Sequence, residues 1–245
     1  AMSTFAMSSG KWYWECLVTI EPTWWPVVGF GKTTSNLQLN QNYTGEQADS
    51  WGYKTEDGVF YYAGSTLATY TPISAGDIMQ FAIDMDAGKA WIGINNTWVN
   101  SGVPASGTNA IVTSGLTDDI TPIFSDSGGS GHRQVANFGQ DSSFTGEKTA
   151  QGNKDSNDMG DFYYTPPTGF LALCSNNLAD PSIALPTEHF ETIVWTGDGT
   201  AGAMSTTGLS FQPDFFFQGA RAGGGGGAHL TYDVIRGFGN DKEIT

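Results

Sequence analysis

Hydrophobic residues near the start of the chain alternate with polar ones. In residues 10–20, one face of an extended segment carries Trp12, Trp14, Cys16, Val18 and Ile20, and the other carries Tyr13, Glu15, Leu17 and Thr19. A period of two in β-forming residues predicts a strand. Since no helical period extends over ten residues anywhere in the sequence, the pattern indicates an all-β protein.

A second alternating segment, residues 76–94, predicts a long hairpin. Its first half places Met79, Phe81, Ile83 and Met85 on one face and Gln80 and Asp84 on the other. A three-residue connection containing glycine, Asp86-Ala87-Gly88, then leads into residues 89–94, which run back. The two segments together predict neighbouring antiparallel strands.

Short strands separated by turn-forming residues continue along the chain. We predict them at residues 27–31, 51–53, 59–63, 120–124, 134–139 and 162–174. Residues 140–161 form a long hydrophilic insertion with almost no apolar side chain. Many short strands with turns between them are typical of a two-sheet antiparallel β-sandwich.

Two prolines, Pro181 and Pro186, mark a linker. We therefore divide the chain into a sandwich over residues 1–178, a linker over 179–187 and a smaller β-rich unit over 188–245. Strands are predicted in this second unit at residues 190–195 and 208–217. Because the sequence stops within this pattern, we expect the second unit to be incomplete and the chain to be a fragment of a longer protein.

The charge of the chain excludes some classes of partner. The 245 residues carry 10 Lys and Arg against 25 Asp and Glu, a net charge of −15. Such a surface repels phosphates, so we expect no nucleic-acid partner. The sequence shows neither a signal peptide nor an apolar run of the ~20 residues that a membrane span needs, so we expect no membrane insertion.

Few residues have the spacing that catalysis or metal binding requires. The nearest pair of carboxylates, Asp84 and Asp86, lies at a hairpin turn, where Asp commonly caps the backbone. Residues 155–161 are similar to a calcium loop, but Met159 replaces an oxygen ligand and Pro166 replaces the bidentate Glu. The histidines, His132, His189 and His229, are too far apart in sequence for a paired zinc spacing. We predict no catalytic residue, no metal site and no cofactor.

Aromatic side chains in polar loops are the main candidates for ligand binding. These candidates are Trp24, Trp25, Tyr43 and Trp98. Their rings can bury much area at low entropic cost, against either a protein or a sugar. Alternation favours core packing for Trp51, Tyr53 and Tyr61. For Cys16 and Cys174, both of which lie in apolar strand-like contexts, buried free thiols and a disulfide remain open.

The order of several motifs resembles a SPRY domain over residues 8–176. The motifs are Gly10-Lys11-Trp12-Tyr13-Trp14-Glu15, Val28-Gly29-Phe30-Gly31, Trp51-Gly52-Tyr53, Gly76-Asp77, Asp84 with Gly88, and Val135-Ala136-Asn137-Phe138-Gly139. The resemblance implies a concanavalin-like jelly-roll sandwich and a binding module, not an enzyme, whose loops at one edge take protein or peptide ligands. The sequence departs from the family at Asn95-Asn96-Thr97, where an Asn-Gly turn is usual.

The region after the sandwich resembles structural proteins of tailed phages. The resemblance rests on residues 164–174, Thr196-Gly197-Asp198-Gly199, Phe211-Gln212-Pro213-Asp214, Tyr232-Asp233 and Arg236-Gly237. It implies a tail or fibre component of the virion, assembled in the host cytoplasm as a homo-oligomer. Its partners would be a protein or glycan on the host surface, or other virion proteins. The alternatives are a carbohydrate-binding, lectin-like module of a secreted protein and, last, a glycan-cleaving enzyme.

Overall fold

The computed structural model describes residues 1–20, 25–34, 43–126, 133–178, 188–194, 196, 209–219 and 230–235. The chain divides into two compact units, Ala1–Leu178 and Ala179–Thr245. Helical structure in the described ranges is confined to short 3₁₀ turns at Val99–Ser101, Pro104–Ser106 and Ser175–Asn177. None of these described helices has the length and apolarity that crossing a membrane requires.

The described part of the chain is otherwise built from strands. In chain order they are β1 (Lys11–Val18), β2 (Pro26–Lys32), β3 (Ser50–Lys54), β4 (Val59–Tyr62), β5 (Ser65–Thr69), β6 (Ile78–Asp84), β7 (Lys89–Ile94), β8 (Thr97–Trp98), β9 (Ile120–Asp126), β10 (Gln134–Asn137), β11 (Leu171–Ala172), β12 (Phe215–Gln218) and β13 (Leu230–Asp233). The first eleven belong to the first unit and the last two to the second.

Two antiparallel sheets form the first unit and confirm the predicted all-β sandwich. One sheet has the order β10-β1-β6-β7-β8, and β11 joins it as a parallel neighbour of β1. The other has the order β5-β4-β3-β2-β9. We call them the six-stranded and the five-stranded sheet.

Alternating side chains fill the space between the sheets. In β1 the predicted inward face, including Trp14 and Cys16, is buried. Trp14 stacks on Phe81 of β6 with ring centroids 5.0 Å apart and meets Phe30 of β2 edge-on at 6.5 Å. This core also contains Trp51 and Tyr53, as alternation predicted.

The second face of β1 is buried as well, because residues 139–174 cover it. Tyr13 lies in a separate apolar cluster with Phe162 and Phe170. A third cluster forms where Leu17 meets Phe144. The hydrophilic insertion, residues 140–161, is thus part of an outer layer and packs on the sheet through Phe144, while Phe162 and Phe170 of this layer follow the insertion.

A buried carboxylate fastens this covering segment to the sheet. Glu15 accepts hydrogen bonds from the backbone N–H groups of Tyr163 (2.9 Å) and Tyr164 (2.7 Å), from the Tyr13 hydroxyl (2.9 Å) and from Asn137 Nδ2 (3.2 Å). Burial raises the pKa of Glu15, while the hydrogen bonds from Tyr164 and Tyr163 act in the opposite direction. Four donors therefore compensate one carboxyl group that has lost its water.

Several local predictions differ from the structure. The β6–β7 connection has four residues, because Asp84 pairs with Lys89. Only Leu171–Ala172 forms a strand within residues 162–174, and β5 was not predicted. The unusual turn at Asn95 and Asn96 is accommodated, because both residues have positive φ (48° and 65°), a conformation that Asn tolerates better than most residues.

The two cysteines lie on opposite sides of the six-stranded sheet as free thiols. Cys16 is buried in the core between the sheets, whereas Cys174 packs against the cluster of Tyr13 on the outer side. Burial raises the pKa of Cys16 to about 12. This placement decides the open question in favour of unbridged residues.

The described part of the second unit contains one small sheet. Strands β12 and β13 pair antiparallel, with Phe216 opposite Tyr232. The strand predicted at residues 208–217 is reduced to Phe215–Gln218, and residues 190–194 are not in a strand. The predicted linker, residues 179–187, lies outside the described residues.

Candidate functional site

Three aromatic rings meet at the surface of the five-stranded sheet. The ring of Trp25 lies 5.1 Å from that of Tyr43 and 5.9 Å from that of Tyr61, measured between centroids. The two tyrosine rings are 5.3 Å apart and nearly edge-on. All three side chains are half-buried. We call Trp25, Tyr43 and Tyr61 the aromatic patch.

The position of Tyr61 follows from alternation within β4. Its neighbours Phe60 and Tyr62 pack into or against the core, so Tyr61 projects from the opposite face of the sheet. The sequence analysis favoured a core position for Tyr61, and the structure corrects this. Three consecutive aromatic residues in one strand cannot all face inward, and that signal was present in the sequence.

Trp25 reaches the patch through an unusual backbone conformation. Its φ is 58°, in the left-handed region, which costs an L-residue with a large side chain about 1–2 kcal/mol. The residue directly precedes β2, so this turn aims the indole back over the sheet. Contacts with Tyr43, Tyr61 and Lys54 offset the backbone cost.

Tyr43 is positioned by a loop that rests on the sheet. A Cβ atom at Gly52 in β3 would lie 1.9 Å from the carbonyl oxygen of Thr44, so only glycine permits the loop to approach this closely. Thr44 is further fixed by Ser125 of β9, whose hydroxyl accepts a hydrogen bond from the Thr44 N–H at 2.9 Å. The loop position therefore depends on both β3 and β9.

A buried lysine lies beneath the patch. Lys54 Nζ is 4.1 Å from the ring centroid of Trp25, within the range of a cation–π interaction. The same ammonium group contacts Asp57 Oδ2 at 2.7 Å and Glu56 Oε2 at 3.1 Å. Burial disfavours its charge, but the hydrogen bonds with Asp57 and Glu56 outweigh that effect and raise the pKa of Lys54.

The patch tyrosines remain neutral hydroxyl groups at physiological pH. Burial raises the pKa of Tyr43, and the negative charge of Glu46 raises it further. Burial also raises the pKa of Tyr61, with a further contribution from Asp57. The site thus offers aromatic faces and phenolic hydroxyls next to carboxylates, which suits binding rather than proton transfer.

The structure brings together two of the four predicted ligand-binding residues. Trp25 and Tyr43 are in contact, whereas Trp24 lies outside the described residues. Trp98 belongs to β8 of the six-stranded sheet and is partly buried against the cluster that contains Trp91. Tyr61 completes the patch, and Lys54 joins it; the sequence analysis did not single out Lys54.

The carboxylates considered for catalysis have structural partners. Asp84 Oδ1 accepts a hydrogen bond from the Ala87 N–H at 2.9 Å, and its other oxygen pairs with Lys11 at 3.1 Å. Asp86 Oδ1 accepts one from the Gly10 N–H at 3.0 Å. These contacts fit the turn-capping role that Asp residues have at hairpins.

The calcium-like loop is closed by its own chain. Asp155 accepts hydrogen bonds from the N–H groups of Asn157, Met159 and Ala172 and from Asn177 Nδ2. Both of its oxygens are therefore occupied by protein donors. Within the ranges that the structure describes, no three His, Cys, Asp or Glu side chains are grouped so that they could hold a metal ion.

A family model matches more than half of the chain. The SPRY domain family model matches residues 11–141. Among solved structures, the SPRY domain of human HERC1 is similar, with 18% sequence identity and a TM-score of 0.43 over 55% of this chain and 79% of that chain. No curated protein sequence matches. The chain therefore belongs to the SPRY domain family, whose members are typically non-catalytic modules that bind proteins.

Proposed function

We propose that this protein is a non-enzymatic binding module and that the aromatic patch is its contact surface for a partner protein. The observation that carries this proposal is the contact of Trp25, Tyr43 and Tyr61 in one half-buried surface. Trp and Tyr dominate the energetics of protein interfaces, because they bury large areas with few rotatable bonds. The core of the sandwich holds the patch in place.

Selection from a random peptide library displayed on yeast tests the patch. The full-length protein is the bait, and a variant carrying Trp25→Ala and Tyr61→Ala is the matched comparison. We expect the selected peptides to bind the wild-type protein at least tenfold more tightly, since losing two aromatic anchors costs more than about 1.4 kcal/mol.

The control is Trp98→Ala, which removes an aromatic side chain from the other sheet. It is expected to leave peptide binding unchanged. Thermal unfolding of each variant establishes that the fold is retained. Selected peptides that bind the double variant as well as they bind the wild type would place the interaction elsewhere and contradict the proposal.

We further propose that the module works in the virion of a tailed phage, as a tail or fibre component that mediates host attachment or particle assembly. The support is the sequence resemblance of residues 164–174 and of the motifs between residues 196 and 237 to phage structural proteins. Mass spectrometry of purified particles, together with the neighbouring genes, tests this assignment. Absence of the chain from particles would reject it.

A carbohydrate partner is the second candidate. An indole ring flanked by two tyrosine rings, with centroids 5.1 and 5.9 Å away, is also a surface on which a sugar ring can stack. A glycan array separates the two candidates. Binding to a sugar that disappears in Trp25→Ala would favour the lectin-like function, and no sugar binding beside patch-dependent peptide binding would favour the protein partner.

A further inference from the structure

The aromatic patch lies in an acidic environment. Lys54 is the one basic side chain that contacts it in the described ranges, and it is already paired with Glu56 and Asp57. Glu46 contributes a third negative charge next to Tyr43. One positive and three negative charges leave the immediate surroundings with an excess of two negative charges, and the whole chain carries −15.

The patch already binds one cation within the molecule. Lys54 Nζ lies over the Trp25 ring at 4.1 Å, and the lysine side chain is only 8% exposed. A buried ammonium group needs such compensation from π-electrons and carboxylates. The side chains of Glu56 and Asp57 are each 43% exposed, so their carboxylates also face solvent at the edge of the patch.

We propose that the partner presents an arginine in an extended peptide segment, whose guanidinium stacks on the aromatic patch and pairs with Glu56. This inference rests on the proposed function and specifies the chemistry of its ligand. Arginine fits better than lysine, because its planar guanidinium stacks on rings and engages a carboxylate with two parallel hydrogen bonds. The negative charge of the chain also attracts a basic segment from a distance.

Peptide titrations followed by NMR test the charge requirement. The probes are acetyl-Gly-Ser-Arg-Ser-Gly-amide and the same peptide with citrulline, which keeps the planar shape of arginine without its charge. The readout is the indole N–H signal of Trp25, assigned with Trp25→Phe, in the full chain. We expect saturable shifts with the arginine peptide, and binding of the citrulline peptide at least about fivefold weaker.

Two variants test whether the carboxylate of Glu56 pairs with the arginine of the peptide. Glu56→Gln is expected to weaken binding of the arginine peptide about two- to fivefold and to affect the citrulline peptide less, because its neutral ureido group makes weaker hydrogen bonds with a carboxylate. The matched control is Asp118→Asn, since Asp118 is also an exposed carboxylate paired with a lysine, Lys32 at 2.9 Å. It is expected to change neither titration. Equal effects of the two variants would reduce the result to general electrostatics and overturn the inference.

Other occupants give different results in the same experiment. Equal binding of the citrulline and arginine peptides, or shifts that leave Trp25 unaffected, would overturn the arginine partner. Concentration-dependent Trp25 shifts without any peptide would indicate a second copy of the chain, and shifts with neutral sugars alone would indicate a glycan.

Failure of this inference is distinguishable from failure of the proposed function. Library peptides that depend on the patch but lack basic residues would reject the arginine and keep the binding surface. No patch-dependent peptide would reject both.

Discussion

At the scale of single residues, Glu15 shows how a strand residue holds the molecule together. It lies on the outward face of β1, where a solvent-exposed sheet would carry a hydrated side chain. Here the covering segment removes the water, and backbone N–H groups of Tyr163 and Tyr164 replace it. The carboxylate thus links the first strand to a segment near the end of the sandwich.

Replacing Glu15 tests this link. In Glu15→Gln one oxygen becomes an NH2 group that cannot accept a hydrogen bond, unlike either oxygen of a protonated carboxyl, and that faces other donors, including the Tyr164 N–H. We expect the free energy of unfolding to fall by about 2–4 kcal/mol, measured by denaturant titration. The control, Glu147→Gln, removes an exposed carboxylate that pairs with Arg133 and should cost less than about 1 kcal/mol. Similar losses in both variants would contradict a special role for Glu15.

The pKa of Glu15 predicts a pH dependence. Because burial raises that pKa in the folded state, the folded protein binds the proton more tightly than the unfolded chain does. This group's contribution to stability is therefore complete below its unfolded pKa, about 4.3, and is lost as pH rises through the folded value. We expect the stability difference between wild type and Glu15→Gln to shrink from pH 4 to neutral pH. A difference that grows over this range would show a lowered pKa.

At the scale of elements, the β7–β8 turn offers a stabilising change. Asn96 has a φ of 65° and an exposed side chain. Since glycine adopts positive φ without a steric penalty, Asn96→Gly is expected to raise the free energy of unfolding by about 0.5–1 kcal/mol. Alanine tolerates positive φ less well than asparagine or glycine does. Asn96→Ala should therefore lower the free energy of unfolding by about 1 kcal/mol. Thermal unfolding measures both; the reverse order would refute the assignment of the turn.

The close approach of the 43–50 loop to β3 gives a prediction for the site. In Gly52→Ala the new methyl group would collide with the Thr44 carbonyl, so the loop must shift and take Tyr43 away from Trp25. We expect a loss of about 2–3 kcal/mol in stability and a changed Trp25 indole signal by NMR. Gly146→Ala is the control, because open space surrounds that position; its positive φ alone should cost about 1 kcal/mol. An unchanged Trp25 signal in Gly52→Ala would contradict the role of the loop.

The sequence predicted those strands in which hydrophobic and polar residues alternate strongly. Strong alternation in β1 and β6 identified the two faces correctly. The short β5 escaped prediction because Ser65–Thr69 has a single large apolar residue, Leu67, and that residue is exposed. The covering layer also escaped prediction, since Phe144, Phe162 and Phe170 are too far apart in sequence to form a periodic signal.

The sequence predicted some residues of the candidate site but not the contacts between them. Aromatic residues in polar loops pointed to Trp25 and Tyr43, which the structure joins. Contact with Tyr61 and Lys54 depends on the register of β3 and β4 and on the backbone turn at Trp25. Pairing between distant strands cannot be read from local alternation. The sequence analysis therefore grouped Trp98 with Trp25 and Tyr43 as a candidate for ligand binding, although Trp98 belongs to the other sheet.

At the scale of the whole molecule, we expect the first unit to fold and unfold without the second. A chain ending at Leu178 retains both sheets and the covering segment. We expect it to unfold cooperatively with a Tm within about 5 °C of that of the full chain, measured by calorimetry. A chain ending at residue 160 lacks Phe162, Phe170 and β11 and should lose cooperative unfolding. Loss of folding in the longer variant would show that the sandwich needs the second unit.

The pairing of β1 affects how the protein forms during synthesis. Most strands of the five-stranded sheet pair with neighbours in sequence, so they can associate while the chain is still growing. In contrast, β1 is made before its partners β6, β10 and β11, and Trp12 is finally paired with Leu171. The outer face of β1, with Tyr13 and Leu17, therefore stays uncovered until almost the whole domain has been translated. This interval is when the nascent chain is most exposed to aggregation and most dependent on chaperones.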